Sequence, residues 1–150
     1  MKEKIGKKKI LIIDDEYAIR ELVEFTLEDD YDILKAENAD SAFKIISSNK
    51  PDLIILDIMM PRIDGYDVCK KLKEDKNTKD IPVIMLTAKH SMDDLNKAIK
   101  CDVDEFITKP FEPELLKQRI DCYLLKECNT KKKLFHSENA IHYIKEQKKY

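Results

Sequence analysis

Glycine is nearly missing from this chain. Gly6 and Gly65 are the only two among 150 residues, where average usage near 7% gives about ten. Two glycines so far apart exclude a P-loop and a glycine-rich dinucleotide fingerprint, since each needs several within one short loop. Long apolar runs are missing too. Nothing approaches the roughly 18 consecutive apolar residues of a membrane span, and ILII behind the basic start MKEKIGKKK is too short for a signal peptide. The four cysteines, Cys69, Cys101, Cys122 and Cys128, form no CxxC pair and have no histidine at zinc-finger spacing. They read as reduced thiols, and the expected compartment is the cytoplasm. If phosphate is handled here, it is handled by carboxylates, metal and lysine rather than by a nest of backbone amides.

What the chain has in abundance is charge. It is 43% hydrophobic and 39% charged, enough apolar material for one core under a densely ionic surface. The net charge of −2 hides an uneven distribution. Residues 2–9 hold five Lys and one Glu, and residues 126–150 hold seven Lys and three Glu. Each end therefore carries +4 and the stretch between them −10. An acidic body of that kind suits a divalent cation and disfavours nonspecific binding to nucleic acid. The basic ends read as solubilising tails or docking patches, with the tails favoured.

Short apolar runs alternate with amphipathic segments. KKILIID, residues 31–36, PDLIILD, IPVIMLT and DEFIT read as five strands. Between and after them, helical periodicity places Ile19, Leu22, Val23 and Leu27 on one face, then Ala39, Ala42, Phe43 and Ile46, then Val68 and Leu72. A fourth helix is expected over Met92–Lys100, with Leu95, Ala98 and Ile99 inward, and a fifth over Glu112–Leu125, bearing Leu115, Leu116, Ile120 and Tyr123. Strands that are apolar almost throughout, each followed by a helix, predict an α/β fold with a parallel sheet covered on both faces. In such sheets function gathers at the carboxyl ends of the strands.

That rule organises the polar residues. The first strand ends in Asp14 and Asp15, the third in Asp57, the fourth in Thr87, and the fifth in Lys109 followed by Pro110. Each alone has an ordinary use as a helix cap, a turn former or a solvated loop residue. Five such residues at one rim make a chemical constellation. Three neighbouring carboxylates repel one another and must take up protons or recruit a cation. Mg²⁺, a hard ion with oxygen ligands, fits that demand. With Lys109, the group supports phosphoryl transfer to a carboxylate, a reaction governed by positioning and electrostatics.

These residues resemble the receiver domain of bacterial two-component response regulators. The resemblance rests on IIDDE at 12–16, LDIMMPRIDG at 56–65, TAK at 87–89 and DEFITKPF at 104–111, and covers about residues 8–125. It implies a flavodoxin-like, doubly wound five-stranded sheet in the order 2-1-3-4-5 with five helices, over residues 1–125. It implies that Asp57 accepts a phosphoryl group from a phosphohistidine on a sensor histidine kinase or a histidine phosphotransfer protein. It further implies Mg²⁺ on Asp15, Asp57 and the Met59 carbonyl, with Asp14 acting through water, and Lys109 on the phosphoryl oxygens beside a cis bond to Pro110. Thr87 and Phe106 form the implied switch, read out by a downstream protein or a second copy through the fourth helix, fifth strand and fifth helix. Met59 and Lys89 are the implied determinants of phosphoryl lifetime, bulky enough to impede water and give minutes or longer. The chain departs from the pattern at Asp102 and Val103, where receivers commonly have Gly-Ala.

Residues 126–150 read as a basic tail, partly helical from Ser137 to Lys149, with His136 and His142 as surface residues. The tail is too short for a winged helix or a cyclase. The expected role is a non-enzymatic phosphoacceptor switch acting on a protein partner, with no direct nucleic-acid or membrane binding. A second reading is the receiver fragment of a larger DNA-binding or nucleotide-cyclising regulator. A metal-dependent aspartyl-phosphate phosphatase would place a second Asp two residues past the nucleophile, where this chain has Met59. A flavodoxin-like redox protein would need a Ser/Thr/Gly-rich loop after ILII, which is missing.

Overall fold

The computed structural model describes residues 6–88 and 92–125, apart from the side chains of Met92 and Leu95. Strands and helices alternate strictly: β1 (Lys9–Ile13), α1 (Tyr17–Leu27), β2 (Asp32–Ala36), α2 (Ala39–Ser48), β3 (Leu53–Asp57), α3 (Gly65–Glu74), β4 (Val83–Thr87), α4 (Met92–Lys100), β5 (Glu105–Thr108) and α5 (Pro113–Leu124). All neighbouring strands are parallel, in the order β2-β1-β3-β4-β5. The expected sheet and its order are borne out.

Alternation of side chains across the pleat divides the core in two. Leu11, Ile13, Ile54, Leu56, Val83, Met85 and Phe106 face the layer that holds Ala42 of α2, Val68 and Leu72 of α3, and Ala98 of α4. Ile10, Ile12, Leu53, Ile55, Ile84, Leu86 and Ile107 face Val23 and Leu27 of α1 and Leu116, Ile120 and Leu124 of α5. Ile10–Ile13, Leu53–Leu56 and Val83–Leu86 of the central strands are apolar throughout because both faces are covered. Two expected core residues are corrected. Leu22 is 37% and Leu115 41% exposed, each at the margin of its helix's apolar stripe, beyond the side chains that cover the stripe's centre.

Local chemistry explains the loop ends that frame the site. Asn38 and Ser41 form a reciprocal capping box at the start of α2. Asp64 accepts a hydrogen bond from the Tyr66 amide at 2.9 Å and caps α3. Gly65 has an ordinary negative φ, yet a Cβ built on it would lie 2.5 Å from the Asp57 carbonyl oxygen and 2.6 Å from the Ile58 Cα. Close backbone approach, and not turn geometry, is what requires glycine there. Two other residues adopt positive φ, Asp102 at 57° and Arg62 at 74°. Asp102 stands where the expected Gly is missing, and Asp tolerates the left-handed region better than most residues.

The cysteine expectation holds for Cys69 and Cys101, which are free thiols. It fails for Cys122, which is disulfide-bonded. Lys89, Cys128, His136, His142 and the expected tail helix lie outside the described residues. Among the described residues, no helix is long and apolar enough to cross a membrane.

Candidate acidic site at the carboxyl rim of the sheet

The strand ends deliver the predicted residues to one place. Asp14 and Asp15 follow β1, Asp57 is the last residue of β3, Thr87 the last of β4, and Lys109 follows β5. Carboxylate oxygens of Asp14, Asp15 and Asp57 all lie within 4.8 Å of one another. Asp14, Asp57 and Thr87 are buried, whereas Asp15 faces solvent. Lys109 Nζ donates to Asp14 Oδ2 at 2.8 Å and stands 3.6 Å from Asp57 Oδ1. The Lys109–Pro110 bond is cis, and the Lys109 amide donates to the Thr87 carbonyl at 2.7 Å. Phe106 is buried on β5, paired in register with Met85.

Asp14 is the most constrained member. Its Oδ1 accepts from the Glu16 amide at 2.9 Å and its Oδ2 accepts from Lys109. Asp57 Oδ1 accepts from the Met59 amide at 3.2 Å. The Met59 side chain is half exposed over the site. Two hollows, of about 330 and 530 Å³, are lined by residues Met60 to Ile63 of the β3–α3 loop, and both border Asp15. Asp15 is thus open to small solutes on that side, while Asp14 and Asp57 are buried behind it.

The electrostatics are those of a crowded anionic pocket. Burial, together with the negative charge of Asp14, lifts the Asp57 carboxyl from 3.8 to about 7, against the opposing pull of Lys109 and the Met59 amide. Burial works to lower the Lys109 pKa, but its hydrogen bond to Asp14 and the charges of Asp14, Asp57 and Glu16 together raise it. Because the folded pKa of Asp57 lies above its unfolded value, the folded protein holds its proton more tightly. Asp57 therefore favours folding most below about pH 4, and that contribution is lost as pH rises through about 7. In melting scans without metal, Asp57→Asn is expected to gain stability relative to wild type across this window, and millimolar Mg²⁺ is expected to narrow the gap. A gap that stays constant from pH 4 to pH 8 would contradict this.

Sequence reasoning missed two contacts here. Glu16 approaches Lys109 to 3.5 Å as a third carboxylate partner, hinted at only by its place beside the Asp pair. Arg20, one turn into α1, donates to the Asp14 carbonyl oxygen at 2.7 Å. No spacing rule marks it.

Comparison with known proteins gives a consistent picture. A family model for the response regulator receiver domain matches residues 10–121. The chain is 45% identical over 118 residues to the phosphate regulon transcriptional regulatory protein PhoB of Pseudomonas aeruginosa, covering 78% of this chain and 52% of that protein. It is 40% identical over 118 residues to the alkaline phosphatase synthesis transcriptional regulatory protein PhoP of Bacillus subtilis, covering 78% and 48%. It spans about half the length of these curated relatives. Among solved structures it matches the Vibrio cholerae chemotaxis protein CheY4 with a TM-score of 0.75 at 28% identity, covering 79% of this chain and 100% of that one.

Proposed function

Because this chain belongs to the response regulator receiver domain family, we propose that Asp57 is its phosphoacceptor and residues 1–125 its receiver. Receiver domains of response regulators are phosphorylated by histidine kinases and act on downstream effectors. The observation that carries the assignment is the convergence of Asp57 with Asp14 and Asp15 inside 4.8 Å, with the Lys109 ammonium 3.6 Å away.

In the proposed reaction an Asp57 carboxylate oxygen attacks the phosphorus of a partner's phosphohistidine, or of a small phosphoryl donor. The new P–O bond forms as the P–N bond breaks, and the departing imidazole takes the bond's electron pair. The Met59 amide orients the attacking carboxylate. Lys109, already between Asp14 and Asp57, needs only a small shift to meet the incoming phosphoryl oxygens. Its own aspartyl phosphorylation and dephosphorylation are the only reactions the protein catalyses.

Receiver domains bind Mg²⁺ at an acidic pocket, and the donors present here suit that ion: three carboxylates with oxygen ligands only. Asp15 and Asp57, with the Met59 carbonyl, would hold it directly. Asp14, whose two carboxylate oxygens already accept from Glu16 and Lys109, would act through water. When bound, the ion supplies positive charge that offsets the triad and the transferring phosphoryl oxygens.

The buried Thr87 hydroxyl and Phe106 ring form the proposed switch, and α4, β5 and α5 the face that meets a downstream protein or a second copy. Phe106 already lies inward in this structure, 6% exposed. Met59, with Lys89, is proposed to limit water's access to the acyl phosphate. The curated relatives are transcriptional regulators about twice the matched length, which favours, as a second reading, a receiver that serves a larger DNA-binding regulator. Incubation with phosphoramidate and Mg²⁺ is expected to add one phosphoryl mass per chain, and EDTA to prevent it. An adduct formed equally well in EDTA would count against the proposal.

A further inference from the structure

Asp15 is the exposed member of the triad, and among the described residues its carboxylate makes no hydrogen bond or ion pair. No side-chain contact aims it, so the direction of its Cα–Cβ bond is set by the backbone. The peptide that precedes it is planar, so the direction of the Asp14 carbonyl fixes where the Asp15 nitrogen and Cα lie. That carbonyl accepts from Arg20 Nη1 at 2.7 Å. The other attachments of Asp14 hold different atoms: its amide donates to the Ala36 carbonyl at 3.1 Å, and its carboxylate oxygens accept from Glu16 and Lys109. Arg20 is itself restrained, its guanidinium 5.7 Å from the centroid of the Tyr17 ring. Helical spacing puts Tyr17 and Arg20 on one side of the first turn of α1.

We infer that Arg20 is a positioning residue for the metal pocket, holding the Asp14–Asp15 peptide so that the Asp15 carboxylate converges with Asp57. The inference rests on the reading that Asp14, Asp15 and Asp57 hold Mg²⁺. It differs in sign from a purely electrostatic role. Removing a cation near an anionic pocket strengthens the attraction for Mg²⁺ by Coulomb's law. Loss of a positioning contact weakens binding, by roughly tenfold or more for groups that orient metal ligands.

The test is calorimetric titration of the metal-free protein with Mg²⁺, well below the melting temperature, for wild type, Arg20→Met and Arg20→Lys. Arg20→Met is expected to weaken Mg²⁺ binding roughly tenfold. Arg20→Lys, which keeps the charge and one donor, is expected to fall between Arg20→Met and wild type. Mg²⁺ affinity unchanged or increased in Arg20→Met, with only the melting temperature lowered, overturns the inference and leaves the metal reading intact. Failure of wild type to bind Mg²⁺ at all overturns both.

Discussion

Gly65→Ala should cost about 2 kcal/mol of stability, and should slow phosphorylation by more than the loss of folded protein explains. A methyl group on Gly65 would sit 2.5 Å from the Asp57 carbonyl oxygen and 2.6 Å from the Ile58 Cα. Both atoms are backbone, so no side chain can rotate to make room. Alanine is the better helix former by roughly 1 kcal/mol, but overpacking against rigid neighbours typically costs about 1–3 kcal/mol and occasionally more. Here relief requires moving the last residue of β3 or the first turn of α3. Either movement displaces Asp57 from Asp14 and Asp15, or breaks the hydrogen bond from the Gly65 amide to the Ile58 carbonyl at 3.0 Å. Thermal denaturation of the variant should show a midpoint lowered by roughly 7 °C, taking a few degrees per kcal/mol for a domain of this size. A melting temperature equal to wild type would mean that the close approach of the two backbones is not what glycine is for.

Lys109→Ala should leave Mg²⁺ binding largely intact while abolishing the response of any partner to phosphorylation. Lys109 bridges Asp14 at 2.8 Å and Asp57 at 3.6 Å, and no other cation pairs with either carboxylate among the described residues. Without it, the two buried acids retain their mutual repulsion and lose their ammonium, so the metal becomes their main source of positive charge. Affinity for Mg²⁺ should hold or rise modestly, but a phosphoryl group on Asp57 would lack the cation that draws it towards β5. The check is paired: calorimetry with Mg²⁺, and partner binding with and without phosphoramidate. Normal phosphorylation-dependent partner binding by Lys109→Ala would remove Lys109 from the switch.

Much of this structure is legible in the sequence because apolar runs flanked by polar loops leave few choices. Ile10–Ile13, Leu53–Leu56 and Val83–Leu86 are apolar at every position, which only strands buried on both faces require. Once the sheet is parallel, its carboxyl rim must collect Asp14, Asp57, Thr87 and Lys109. What escaped depends on quantities that spacing does not carry. Leu22 and Leu115 sit at the margins of helical stripes, where burial is decided by the size of facing side chains. The need for Gly65 comes from how closely α3 approaches the end of β3, a distance with no sequence signature. The hydrogen bond of Arg20 to the Asp14 carbonyl arises from how α1 begins, and looks in sequence like any charge on an exposed turn. The positive φ of Arg62 is invisible because its side chain gives no sign of it.

The most direct test of the central claim is the position of the phosphoryl group. Wild type and Asp57→Asn are incubated in parallel with phosphoramidate and Mg²⁺, and each is weighed intact by mass spectrometry, followed by peptide mapping. Wild type should gain a single hydroxylamine-labile phosphoryl group on the peptide that contains Asp57, and Asp57→Asn should gain none. An adduct of equal yield on Asp57→Asn, or one mapped to another residue of the wild type, would contradict the assignment.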